Sequence, residues 1–229
     1  MKYYQKDISI KRIIIIIFIV SMLTSIFGIG CIVFGRWYSS AELTIKSIAG
    51  NIGEIIYNRV YSLLEVPHQM NVANHRIIEN GILDLSDDRL RDKFFVSVLS
   101  SHSDEIYSFS FATAKGEYYG ARRNELGLIE IMRNDATTGG STWYYSVNED
   151  FTAGDIVLKA GTFDPRTRHW YKAAEAAGGP VISPVYKHFV MDDLTVSVAL
   201  PVYDSSGKLQ GVLGTHMLLS GIETFLEDT

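Results

Sequence analysis

Hydrophobic and polar positions divide this chain into three stretches of different period. Residues 13–35 carry no charge; they open with five consecutive isoleucines and are broken only by Ser21, Thr24, Ser25 and three glycines. As a helix rising about 1.5 Å per residue this stretch spans roughly 34 Å, enough to cross a hydrocarbon core of about 30 Å. It is too long for the apolar region of a cleaved secretory signal and predicts an uncleaved transmembrane helix. From residue 40 to 80 apolar side chains recur at Ile45, Ile48, Ile52, Ile55, Ile56, Val60, Leu63 and Leu64, with polar residues between. Spacings of three and four place them on one helical stripe, so residues 36–80 are expected to continue the membrane helix as a stalk. Pro67 lacks a backbone donor and is a point where that helix can bend. The stripe fits either a homodimer seam or packing on the chain's own sheet, and drift away from a strict heptad favours the second.

Beyond residue 84 the period shortens. A helix is predicted over residues 86–99, with Ser86 and its acidic neighbours at the start. Strands are predicted over residues 105–113, 116–123, 128–133, 141–147, 180–187, 195–203 and 211–218, each bounded by turn residues. The last two form a hairpin around Asp204-Ser205-Ser206-Gly207. A short helix over residues 170–177 ends at Gly178-Gly179-Pro180. Strands joined mainly by short turns, with a few helices attached, predict an α+β fold around an antiparallel sheet.

The charge distribution gives this organisation a direction. The chain has 229 residues and formal net charge −5. Five basic residues and one acid lie within residues 1–36, a net +4, and the other 193 residues hold 16 basic and 25 acidic side chains, a net −9. Basic residues before the apolar stretch place residues 1–12 in the cytoplasm and the remainder outside the cell (inner) membrane, in a single pass, with Trp37 and Tyr38 as interfacial anchors. The single cysteine, Cys31, lies in the span, so the exported part has no disulfide to form. An acidic body argues against nucleic-acid binding, which rests on cationic contacts to phosphate.

The densest chemistry lies in FDPRTRHWYKAA, residues 163–174. Arg166 and Arg168 beside Trp170 and Tyr171 can clamp a carboxylate through paired donors while rings cover its apolar part. The alternative is a surface loop in which the arginines pair with acids and the aromatics join the core. DPRTRHWY is followed by SPVY (residues 183–186), SVALPVYDSSGKLQGVLG (residues 197–214) and an apolar helix start at residues 223–226, and preceded by EIYSFSFATAKGEYYGARR. In this order and spacing the motifs resemble the double Cache sensor domains of bacterial transmembrane receptors, from about residue 40 to the end. The resemblance implies a PAS-like fold with a long N-terminal helix, and residues 81–229 as the membrane-distal sensor module. It also implies a proximal module, a second membrane helix and a cytoplasmic output domain of the kinase, cyclase or chemoreceptor kind. The chain stops where the distal module ends, which suggests a piece of a longer receptor.

In the amino-acid-binding members the arginine that holds the ligand carboxylate falls on Arg168, its aromatic neighbours on Trp170 and Tyr171, and a later tyrosine on Tyr186. Three positions depart from that pattern. Phe163 stands where those members have tyrosine, and His188 and His216 stand where they have the acids that pair with the ligand's ammonium group. An imidazole cannot supply that anion. The pocket is therefore expected to prefer an organic anion without an ammonium group, with His188 and His216 donating hydrogen bonds, more strongly at mildly acidic pH. The six histidines lack HxxxH or HExxH spacing, and no phosphate loop or Gly-x-Ser-x-Gly elbow is present, so neither a metal, a cofactor nor an enzymatic activity is expected. Asp192-Asp193 reads as a solvated turn. Two functions remain, a membrane-anchored small-molecule sensor and a non-catalytic ectodomain that contacts another protein.

Overall fold

The computed structural model describes residues 10–222. Most of the predicted cytoplasmic N-terminus and the helix start at residues 223–226 lie outside the described residues, as do the side chains of Ile56 and Val60 in the stripe. The chain divides into two compact units, residues 1–58 and 59–229. A single helix, α1 (Ile10–Glu79), supplies the described part of the first unit and the opening of the second.

In the first unit the apolar side chains are exposed, and Ile10–Ile55 is long and apolar enough to cross a membrane. Two hydroxyls of the apolar run bond within the helix: Thr24 Oγ1 donates to the Val20 carbonyl at 3.0 Å and Ser25 Oγ to that of Ser21 at 2.9 Å. Such internal pairing is what a hydrocarbon environment demands of a polar side chain. The stripe does not behave as one surface. Ile45, Ile48, Ile52 and Ile55 are exposed, whereas Leu63 and Met70, further along α1, are buried in the core of the second unit. The expected packing on the chain's own sheet therefore holds only for the distal part of the stripe. Helix geometry continues through Pro67, which removes one N–H from the ladder without ending it. The helix stops at Gly81, whose φ of +65° is open to glycine without strain and whose N–H caps the Ile78 carbonyl at 3.0 Å.

Among the described residues, the second unit is a sheet of nine antiparallel strands with helices on both faces. Its strands are β1 (Ser108–Thr113), β2 (Tyr118–Arg123), β3 (Ile129–Asn134), β4 (Ser141–Val147), β5 (Ala153–Thr162), β6 (Val181–Ile182), β7 (Tyr186–Lys187), β8 (Leu194–Tyr203) and β9 (Leu209–Leu218). They are ordered β5-β4-β3-β2-β1-β9-β8-β6, with β7 also pairing β8. The α+β class, the helix before β1 and the β8–β9 hairpin follow the sequence reading. Asp204 Oδ1 accepts the N–H groups of Ser206 and Lys208 in the hairpin turn, each at 2.9 Å. Helix α2 (Asp88–Ser100) starts at Asp87 rather than Ser86: the Asp87 carboxylate accepts the N–H groups of Arg89 and Leu90.

Two elements differ from expectation. The run at residues 180–187 is two short strands, because Pro184 between them has no N–H for the ladder. Strand β5 has no counterpart in the prediction. It is an edge strand with three register shifts against β4 and exposed Ile156, Val157 and Leu158, so it lacks the alternation by which a half-buried strand is recognised.

Antiparallel register sorts side chains onto two faces. Phe109, Phe111, Tyr119, Ala121, Ile131, Leu213 and Met217 meet Leu63, Met70 and the α2 residues Phe95, Val96 and Leu99 in one hydrophobic core. The opposite face presents Ser110, Tyr118, Arg122, Met132, Tyr144, Ser197 and His216, and is covered by the third helix, α3 (His169–Ala177), through Trp170, Tyr171 and Ala174. The second face carries polar groups in its interior, and a small cavity lies there.

Candidate functional site

The chain enters this face through a tight turn that fixes Arg168. Asp164 caps a 3₁₀ turn over Pro165–Thr167 by accepting the Arg166 N–H at 3.0 Å, and the Arg168 N–H donates to the Pro165 carbonyl at 3.0 Å. Arg168 is then the extended residue that starts α3. Its guanidinium lies 5.5 Å from the Phe163 ring centre, 5.8 Å from Phe189 and 6.0 Å from Tyr186. Among the described residues no carboxylate lies within ion-pair distance of it. Three aromatic faces thus hold a cation whose charge no described residue neutralises.

Arg168, Phe163, Trp170, Tyr186, His188 and His216 line one cavity of about 20 Å³, joined by Tyr118, Met132, Thr142, Tyr144 and Phe189. Six of the eight residues picked out in the sequence come together. Arg166 does not: its Nε and Nη2 reach the two carboxylate oxygens of Asp164 at 2.9 and 2.8 Å on the exposed side of the turn, where it serves the fold of the loop. Tyr171 is buried in the hydrophobic cluster beneath α3 and does not line the cavity.

Tyr118, Met132, Thr142 and Tyr144 escape sequence reasoning. They sit inside predicted strands, and only the register, in which Tyr118 faces Asn134 on β3 and Met132 faces Tyr144 on β4, places them on one face. Phe189 is on a loop with no periodicity to mark it.

His216 forms the floor. Nε2 lies 2.9 Å from Ser110 Oγ and Nδ1 lies 2.7 Å from Ser197 Oγ, which also bonds the Tyr186 hydroxyl at 2.8 Å. The Trp170 ring meets it edge-on at 5.1 Å. Gly214 makes room for this arrangement, since a Cβ there would lie 2.8 Å from His216 Nε2 and 3.3 Å from the Trp170 ring. His188 is held by its own loop: Nδ1 accepts the N–H groups of Val190 and Met191 at 3.1 and 2.9 Å. Burial, the neighbouring His188 and the Arg168 cation push the His216 pKa down to about 3. Burial and the cations Arg122 and Arg168 push that of His188 down to about 4. Both imidazoles are therefore neutral at mildly acidic pH, which corrects the expectation that they donate more strongly there.

Beneath the cavity, Arg122 and Glu130 form a buried ion pair at 2.7 Å. Arg122 also donates to the Tyr107 hydroxyl and lies 3.6 Å from the centre of the Tyr144 ring, while Asn124 donates to Glu130 Oε1. This pair is internally compensated. Arg168 is the one fully charged side chain lining the cavity among the described residues. Among those residues, too, no three His, Cys, Asp or Glu side chains converge on a metal site.

Residues 119–224 match the family model described as the first PDC sensor domain of methyl-accepting chemotaxis protein-like proteins. Over these residues the chain is similar to this PDC, or Cache, type of sensor domain, and its fold is PAS-like. Among solved structures, the ligand-binding domain of the Pseudomonas fluorescens chemoreceptor CtaA in complex with L-alanine is similar to the chain at 17% identity and a TM-score of 0.51, over 79% of this chain and 63% of that one. That of the Pseudomonas aeruginosa PAO1 chemoreceptor PctB in complex with L-Gln is also similar, at 17% identity and a TM-score of 0.49, over 77% and 57%. At this identity the CtaA domain supports the fold of the sensor domain. The chain spans about three-fifths of the length of the solved domains it matches.

Proposed function

We propose that this chain is the extracytoplasmic sensing part of a bacterial membrane receptor, with residues 1–12 cytoplasmic, residues 13–35 in the membrane, residues 36–80 as stalk and residues 81–229 as membrane-distal module. Its cavity takes a small organic anion through Arg168. The observation that carries this reading is a guanidinium caged by three rings, without an acid partner among the described residues, in a cavity whose lining holds no carboxylate. A carboxylate supplies the missing charge and accepts two parallel hydrogen bonds from the planar fork. The CtaA domain was solved with L-alanine, a carboxylate that also carries an ammonium group. In this cavity the described residues offer that ammonium no counter-ion.

At about 20 Å³ the cavity holds little more than a water molecule. Ligand entry therefore requires the lining to open, and the Phe163 and Phe189 rings beside Arg168, with centres 4.8 Å apart, are the pair proposed to separate. A ligand that binds only the open form shifts the population toward it, which is the elementary step of a sensor.

The test is a thermal-shift series on the full chain in detergent with short carboxylates, amino acids and amines, with Arg168→Ala alongside. A carboxylate at about a hundred times its dissociation constant adds about 2.7 kcal/mol, a shift of a few degrees, and Arg168→Ala abolishes it. A folded protein that none of these compounds shifts would instead support the protein-contact reading.

A further inference from the structure

The loop that follows β7 fixes the chemistry of one cavity residue more tightly than burial alone would. His188 donates its own backbone N–H to the Asp193 carbonyl at 2.9 Å, closing the loop, and its ring nitrogen Nδ1 accepts the Val190 and Met191 N–H groups. A ring nitrogen that accepts two hydrogen bonds carries no proton, so the neutral imidazole is the Nε2–H tautomer. Nε2 has no partner among the described residues, although His188 lines the cavity. The ring is held from the side by an edge contact to Tyr107 at 4.8 Å.

We infer that His188 is a fixed hydrogen-bond donor to the bound ligand and the residue that turns the site away from compounds carrying an ammonium group. The inference rests on the carboxylate reading of Arg168. Arg168 and His188 present only donors to the cavity. A carboxylate accepts from both, and an ammonium group, itself only a donor, meets N–H against N–H. Protonating His188 instead would break both loop hydrogen bonds and add a second cation near Arg122 and Arg168.

Propionate and L-alanine differ by one ammonium group and serve as the probes, with the full chain in detergent and calorimetric titration as readout. The wild type should bind propionate roughly tenfold or more tighter than alanine, the scale of one hydrogen bond to a charged group. His188→Asn retains an oxygen for the two loop N–H groups and an amide donor, so it should keep that preference. His188→Asp also satisfies the loop but brings an anion, and should cancel or reverse it. Nitrogen-15 shifts of the His188 ring, read without ligand, should show a protonated Nε2 and a bare Nδ1. A protonated Nδ1 overturns the inference, as does a propionate-to-alanine ratio that His188→Asp leaves unchanged while propionate binding still depends on Arg168. Absence of propionate binding in the wild type, or binding indifferent to Arg168→Ala, overturns the Arg168 reading as well.

Discussion

Asp193 accepts both the backbone N–H and the hydroxyl of Ser220. The first residue closes the loop that carries His188 and Phe189; the second lies in the helical turn that follows β9. The acidic pair read as a solvated turn is therefore divided: Asp192 is exposed and pairs with Lys187, while Asp193 ties the cavity loop to the outgoing chain. Asp193→Ala should speed hydrogen exchange at the Ser220 amide while leaving propionate binding within about threefold of wild type, since no cavity group is removed. Unchanged exchange at that amide would show that the contact does not hold the turn.

Arg168 should tolerate no substitution. Removing it should weaken carboxylate binding by at least about thirtyfold, the lower end of the cost of truncating one partner of a buried charge pair. Arg168→Lys should recover only part of that, because an ammonium lacks the planar fork. Titration of the two variants against one carboxylate separates charge from geometry.

The Arg122–Glu130 pair predicts a stability effect without a binding contact. Glu130→Ala leaves a buried guanidinium uncompensated and should cost about 3–5 kcal/mol, whereas replacing both residues with apolar ones should cost much less. Melting temperatures of the two variants decide this, and equal losses would contradict it.

Trp170 is 2% exposed and joins α3 to the site face through Tyr118 and His216. Trp170→Ala should destabilise the domain by about 3–5 kcal/mol, the usual cost of emptying a large aromatic position.

The histidines set a pH dependence. In the unfolded chain each titrates near 6.5, and in the folded domain near 4 for His188 and 3 for His216. Between these values the unfolded state binds more protons, so stability is complete above about pH 6.5, falls as pH drops toward 4, and levels off below 3. Summed over both groups, the loss is on the order of several kcal/mol. A melting temperature that falls from pH 7 to pH 5, with a shallower slope in His216→Asn, is the expected result; a flat profile would show that the imidazoles are not buried neutral.

The sequence by itself determined the long N-terminal helix, the α+β class and most strands, because these depend on local quantities: an uncharged run, a period of two or 3.6, a turn residue. It also brought Arg168, Trp170, Tyr186, His188 and His216 to one list through motif order. Only the tertiary structure separated Arg166 from Arg168, since whether an arginine pairs with Asp164 or faces a cavity depends on which side of one turn it leaves. Pairing register alone placed Tyr118, Met132 and Tyr144 on the cavity face, because a shift of one residue would have turned each to the other side. The protonation of His188 and His216 was likewise invisible in sequence: an imidazole's proton affinity is set by the water it has lost and the charges it faces, and both are properties of the folded chain.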